Sequence, residues 1–208
     1  MLHRIPLWFQ QLFTGYTWQL PSNEKVIYLT FDDGPIPELT EWVLDVLDEY
    51  KIKASFFVVG ENVKRNPRVF TKLISAGHTI GNHTYHHVKG WGTSTKRYVE
   101  DVEKCSNIMI DNGGKSSVYF RPPHGRIKPA QAKLLRKSYQ LVMWNVLSVD
   151  YDRGLSKEKC LKNTIDATRS GAIVVFHDSI KAEKNLKYVL PAYIKHFIAM
   201  GYSFNALP

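Results

Sequence analysis

Hydrophobic and polar positions along this chain switch between two periods. Four short runs are dominated by apolar residues and read as strands: 26–31, 54–59, 141–149 and 172–176. Between them the apolar residues recur at helical spacing. Residues 37–50 place Leu39, Val43, Val46, Leu47 and Tyr50 on one side. Residues 67–76 form a second helix, stopped by Gly77, and 95–111 a longer one that ends at Asn112-Gly113-Gly114. A proline opens the helix over 129–138, Ser156 caps one over 156–169, and Gly201 stops the last, 186–200. Strands alternating with helices imply a parallel sheet in an α/β fold. Periodicity alone leaves a closed barrel and an open sheet both standing.

Length and composition narrow the class. A chain of 208 residues can bury a full core, and a single domain is the simplest count. No internal repeat, low-complexity stretch or long linker interrupts it. The net charge of +9, from 28 Lys and Arg against 19 Asp and Glu, favours anionic partners: nucleic acid, lipid headgroups or acidic wall polymers. The basic residues are scattered, with only short clusters such as Lys133, Arg136 and Lys137, so they read as solvated helix faces and no nucleic-acid partner is expected. Cys105 and Cys160 fall on predicted helices and read as separate reduced thiols. The start, Met1-Leu2-His3-Arg4-Ile5-Pro6, lacks the continuous apolar core of a secretory signal. No run approaches the ~18 apolar residues of a membrane span. A cytoplasmic location is therefore expected, with a cell-envelope or secreted one if the chain is trimmed.

Five clusters carry candidate chemistry. Thr30-Phe31-Asp32-Asp33-Gly34-Pro35 ends the first strand. Side chains alternate along a strand, so two adjacent carboxylates share a site only if the chain turns, and Gly34-Pro35 supplies a turn. One Asp can then bind a cation while its neighbour handles protons; alone, the string reads equally as a strand-ending turn. In His83-Thr84-Tyr85-His86-His87 the spacing of four brings His83 and His87 to one side of a helical turn, with His86 facing away. Two imidazoles and one carboxylate form a common three-ligand zinc set with a position open for water. Thr84 is placed to orient a ligand or the loop. Arg121-Pro122-Pro123-His124-Gly125 offers an Arg to hold an aspartate ionised, in a loop stiffened by prolines. The strand over 141–149 leads into Asp150 and Tyr151. The last strand ends in His177-Asp178, where an imidazole suits general-acid work near neutral pH.

In this order and spacing the clusters resemble the polysaccharide deacetylase family, the NodB-type domain of carbohydrate esterase family four. The resemblance runs from about Lys25 to Leu207. It implies a distorted seven-stranded (β/α) barrel, with residues 25–208 as the catalytic domain and 1–24 as a segment packed on it. Leu7, Trp8, Phe9, Leu12 and Phe13 are then expected to pack across the barrel in preference to a membrane surface. By the same resemblance Asp32 is the catalytic base, Asp33, His83 and His87 are metal ligands, Arg121 steadies the base, Asp150 tunes the acid, and His177 is the acid. The metal is expected to be Zn2+, or another divalent ion such as Co2+ or Ni2+.

The chain departs from the family pattern along the groove. His124 stands where the family usually has Tyr, whose backbone N–H helps hold the oxyanion beside Pro123. Leu147 replaces a frequent acidic residue, Tyr151 a Trp, and Val175 a Leu beside the acetyl pocket. The resemblance implies acetyl removal from N-acetylated, GlcNAc-containing glycans such as chitin or peptidoglycan. O-acetyl xylan esterase activity and a glycan-binding pseudoenzyme are the alternatives; the intact base, acid and metal set argues against the last.

Overall fold

The computed structural model describes residues 3–208; Met1 and Leu2, part of the expected N-terminal segment, lie outside the described residues. In chain order, α1 (Leu7–Leu12) precedes β1 (Val26–Asp32), α2 (Leu39–Glu49), β2 (Ser55–Val58), α3 (Gly60–Arg65), α4 (Pro67–Ser75) and β3 (Thr79–Asn82). The second half continues with α5 (Thr95–Asp111), β4 (Tyr119–Phe120), α6 (Pro129–Leu135), β5 (Gln140–Leu141), β6 (Val146–Leu147), α7 (Lys157–Ala167), β7 (Ala172–His177), α8 (Glu183–Ala199) and β8 (Ser203–Asn205). The strands pair in parallel along the path β5-β4-β3-β2-β1-β7-β6, and β8 joins β1. One edge of β1 is shared: Val26–Tyr28 pairs with β8 and Thr30–Asp32 with β2. Its other edge runs beside β7 from Ile27 to Asp32. The helices surround this curved sheet as in the distorted (β/α)7 barrel.

Strand alternation separates two interiors. Ile27, Leu29 and Phe31 of β1, with Ala172, Val174 and Phe176 of β7, point outward into the large core. There they meet Val43 and Leu47 of α2 and Leu186 and Val189 of α8. The intervening residues face the barrel axis, where Phe57, Tyr119, Val142 and Ile173 form a smaller apolar cluster. Asp32 and His177 are register partners at the ends of β1 and β7, so both belong to this inward set.

The opposite side is irregular. The strand expected over 141–149 is broken at 142–145, leaving the two-residue β5 and β6. Three competing sets of hydrogen bonds cause the break. The Arg121 guanidinium donates to the carbonyls of Val142 (3.4 Å) and Met143 (2.9 Å). The Met143 N–H donates to Thr17 C=O at 2.7 Å. The Asn145 side chain accepts from Ile173 N–H at 3.0 Å and donates to Gln19 Oε1 at 2.9 Å. The N-terminal segment crosses the gap: Ile5 N–H donates to Asn145 C=O, and Leu147 N–H to His3 C=O, both at 2.9 Å. Phe9 packs on Trp18 with ring centroids 5.7 Å apart, while Leu7, Trp8, Leu12 and Phe13 are exposed. No helix among the described residues is long and apolar enough to cross a membrane.

Local differences from the sequence reading have physical causes. Helix α3 was not anticipated, because Val63 is the one large apolar side chain among its six residues and leaves no periodic face to read. Helix α8 starts earlier than expected, at Glu183, and carries Pro191 inside it. Ser156 caps α7, its hydroxyl accepting from Lys159 N–H at 3.3 Å. Cys105 and Cys160 are free and buried.

Candidate active site

Five strand ends and their following loops, those of β1, β3, β4, β6 and β7, converge at the C-terminal mouth of the barrel, where this architecture places its chemistry. They form a cleft of about 580 Å³, lined in part by Asp32, Asp33, His83, His87, His124, Tyr151 and His177.

Asp32 is buried at the end of β1. Arg121, wholly buried after β4, donates to its Oδ1 at 2.6 Å and to Thr30 Oγ1 at 2.9 Å. The guanidinium lies 4.0 Å over the Phe57 ring. Burial disfavours the Arg121 charge, but Asp32 beside it opposes that effect. The backbone turns at Asp33, whose φ of 88° reverses the side-chain direction and brings both carboxylates to the mouth. Asp178, after His177, holds this turn: Gly34 N–H donates to Oδ1 at 3.0 Å, and the Thr40 hydroxyl bonds Oδ2 at 2.6 Å. A Cβ at Gly34 would lie 1.9 Å from that carboxylate, so only glycine fits. Burial pushes the Asp178 carboxyl up to about 8.

The ligand atoms of Asp33, His83 and His87 all lie within 4.8 Å of one another. The helical turn expected to join the two histidines is absent. Thr84 and His87 take φ of 65° and 54°, a conformation no helix contains, and the rings meet at 5.1 Å through a looped backbone. Asp101 of α5 shapes that loop. Its buried carboxylate accepts from the N–H groups of Tyr85 and His86, at 2.8 and 3.0 Å, and pairs with the His86 ring. His83 Nδ1 lies 2.7 Å from Arg121 C=O, which requires a proton on Nδ1 and leaves Nε2 a free lone pair toward Asp33. Burial holds the His83 pKa well below 6.5, keeping the ring in its ligating form. The donor set, its spacing and this tautomer fit a divalent metal.

On the far side of Asp32, His177 Nδ1 sits 2.7 Å from Asp150 Oδ1, and His177 N–H donates to Asp150 Oδ2 at 2.8 Å. Burial disfavours the imidazolium, but Asp150 outweighs it, with help from Asp33 and Asp32, and raises the His177 pKa to about 9. Tyr151 meets the His177 ring edge-on at 4.9 Å. His124 is exposed, 4.7 Å from the His87 ring, with φ of 58°. Lost solvation, then His87 and Lys89, push its pKa down to about 4. Pro123 and Val175 are buried and do not line the cleft. Lining residues that the sequence reading gave no site role are Lys89, Arg126, Trp144, Ser179 and Lys181. Of these only Trp144, inside the strand expected over 141–149, carried a signal.

This geometry, a carboxylate–guanidinium pair beside an Asp-His-His set that could hold a metal and an Asp–His dyad on a barrel mouth, is that of a hydrolase. The polysaccharide deacetylase family model matches residues 19–142, and the chain belongs to that family. It is 34% identical over 194 residues to the peptidoglycan-N-acetylglucosamine deacetylase of Bacillus cereus, covering 92% of this chain and 91% of that one. It is 31% identical to the peptidoglycan-N-acetylmuramic acid deacetylase PdaA of Bacillus subtilis, covering 89% and 71%. The crystal structure of the Bc1960 peptidoglycan N-acetylglucosamine deacetylase, bound to an N-hydroxybenzamide, superposes with a TM-score of 0.90. Its identity is 29%, with 98% and 95% of the two chains covered.

Proposed function

We propose that this protein removes acetyl groups from N-acetylated sugars of a peptidoglycan-type glycan, with zinc as its metal. The observation that carries the reading is the placement of Asp32, paired with Arg121, between the Asp33-His83-His87 triad and the His177-Asp150 dyad.

Asp33, His83 and His87 would hold the ion. Bound there, it supplies Lewis-acid polarisation of the acetyl oxygen and a lowered water pKa. Asp32, its second oxygen 3.8 Å from His83 Nε2, takes the proton of the attacking water. Arg121 pairs with Asp32 and fixes its orientation. His177, protonated at neutral pH because Asp150 faces it, delivers a proton to the departing amine. The backbone N–H of His124, beside His87, is assigned to the tetrahedral oxyanion.

The test is acetate release from N-acetylchitooligosaccharides, peptidoglycan strands and acetylated xylan. Each is run chelator-stripped, reloaded with zinc, cobalt or nickel, and with Asp32→Asn. Metal-dependent release from the N-acetylated glycans, lost in the variant, is the expected result. Release from xylan alone makes the protein an esterase, and silence on all three makes it a binding protein.

A further inference from the structure

Acidic residues are missing from one region of this molecule. Residues 1–23 and 112–149 contain no Asp or Glu, and all 19 acidic residues of the chain lie elsewhere. The same two stretches carry Arg4 and seven further Lys and Arg, of which Arg121 pairs with Asp32. Far apart in sequence, they fold against each other. Ile5 N–H donates to Asn145 C=O and Thr17 N–H to Leu141 C=O, both at 2.9 Å. The Gln140 amide donates to Thr17 Oγ1 at 2.9 Å, and the Arg136 guanidinium lies 4.6 Å over the Tyr16 ring. Lys133, Arg136 and Lys137 are exposed. Among the described residues, no carboxylate lies within ion-pair distance of these three or of Arg4.

Helix α1 lies in this region and is turned inside out. Its buried residue is Gln10, whose amide donates to Ile5 C=O at 2.9 Å. Phe9 packs inward on Trp18, but Leu7, Trp8 and Leu12 leave 54%, 64% and 68% of their surface in solvent, and Phe13, just after the helix, 42%. A helix that buries its amide and bares leucine and tryptophan aims its apolar side at a partner outside the chain. Charge selects that partner. A second copy in a two-fold contact would set one acid-free surface against another. A nucleic acid matches the cations but has no aliphatic phase to receive Leu7 and Leu12. An anionic bilayer matches both: its headgroups take the cations and its acyl boundary takes the apolar side chains.

We propose that this surface seats the protein on an anionic phospholipid bilayer. Leu7, Trp8, Leu12 and Phe13 enter the boundary between headgroups and acyl chains, and Lys133, Arg136 and Lys137 face the phosphates. Trp8 suits that boundary, where indole rings collect in membrane proteins. The association is peripheral: α1 has six residues, and no helix among the described residues is long and apolar enough to cross a membrane. The proposal goes beyond the deacetylase reading and does not depend on it, because none of these residues lines the cleft. Exposed cations act through a field that salt screens over about 8–10 Å, so the attraction weakens as salt rises.

The experiment is co-sedimentation of the full chain with vesicles of phosphatidylglycerol and phosphatidylcholine in equal parts, and with vesicles of phosphatidylcholine alone. The expected result is a partition coefficient about tenfold or more higher on the anionic vesicles, falling as salt rises. Bromine-labelled acyl chains should quench a component of the tryptophan emission that Trp8→Phe removes. Trp8→Gln with Leu12→Gln should lower partition about tenfold or more, and Lys133→Gln with Lys137→Gln about fivefold per charge. Both variants should keep the thermal midpoint, since all four side chains are exposed. Lys181→Gln with Lys184→Gln, an exposed pair outside the acid-free stretches, should change partition by less than about twofold. Failure to bind anionic vesicles overturns the proposal. So does binding that the Trp8 and Leu12 change leaves intact, or that the Lys181 and Lys184 change weakens as much as the Lys133 and Lys137 change. A lipid-free dimer in sedimentation velocity that the Trp8 and Leu12 change dissolves gives the surface to a second copy and overturns it. Tighter binding of a single-stranded oligonucleotide than of the anionic vesicles, lost with Lys133 and Lys137, overturns it as well.

Discussion

The two sides of the barrel solve the same positioning problem by different means. Around β1 the ladder is continuous. Strand β7 follows it from Ile27 to Asp32, so the register itself sets Asp32 beside His177. Across the mouth β4, β5 and β6 are two residues each, and the N-terminal segment spans the space between β5 and β6. In a full ladder the backbone carbonyls are consumed by the next strand. Where the ladder breaks, the carbonyls of Val142 and Met143 are free to accept from Arg121, and the irregular side in this way holds the guanidinium that the regular side's Asp32 needs. Order supplies spacing; disorder of the ladder supplies acceptors.

The largest disruption of this comparison comes from the residue that joins the two sides. Arg121→Ala leaves the Asp32 carboxylate buried and unpaired and three oxygen acceptors without a donor. It should cost about 3–5 kcal/mol in chemical denaturation, together with nearly all acetate release. Second is Asp150→Asn, which acts on the regular side alone. Activity should fall ~10²–10⁴-fold in kcat with the fold retained. Its pH signature is specific. The His177 pKa is raised to about 9, so the stabilisation from the pair is full below 6.5 and is lost as pH rises through about 9; activity that needs the imidazolium is lost over the same alkaline limb. Without Asp150 the lowering by burial is opposed only by the smaller pull of Asp33 and Asp32, and the alkaline limb of kcat/KM should move down in pH. An unmoved limb would assign the proton to another group.

Two smaller changes probe the irregular side. Trp18→Ala removes a buried indole packed on Phe9 and Tyr16 and should lower stability by about 3 kcal/mol. Asn145→Ala leaves Ile173 N–H, in the buried start of β7, without its acceptor, and should cost about 1–3 kcal/mol. A loss in either variant confined to thermal midpoint, with kcat unchanged once folded, would show the N-terminal crossing to be a brace for the barrel and no part of its chemistry.

The regular side was the legible one. Asp32 and His177 stand at the ends of apolar runs, and strand alternation needs only the sequence to say which residues share a face. Helix α5 matches its expected bounds, because Ser94 caps it and Asn112-Gly113 ends it. The resemblance to known deacetylases supplied the metal triad, but spacing misread how His83 and His87 meet. That depends on Asp101, fourteen or more positions away on α5, drawing the loop out of helical geometry. Asp178 was visible only as the neighbour of His177, since its bond to Gly34 spans 144 positions. The break at 142–145 was illegible for the same reason: its partners are Thr17, Gln19 and Arg121, and no local pattern announces them. Lys89 and Lys181 read as ordinary surface charge because only the folded sheet brings both to the lining of one cleft.

The crossing made by the N-terminal segment also orders events during synthesis. Residues 3–20 are synthesised more than a hundred positions ahead of their backbone hydrogen-bond partners at 141–147 and 171. Until most of the chain has emerged the backbone groups of this segment lack those partners, whereas Leu7, Trp8, Leu12 and Phe13 stay exposed even in the folded protein. The barrel must therefore be nearly complete before residues 3–20 can be tied down, which makes closure of the β5–β6 gap a late folding step.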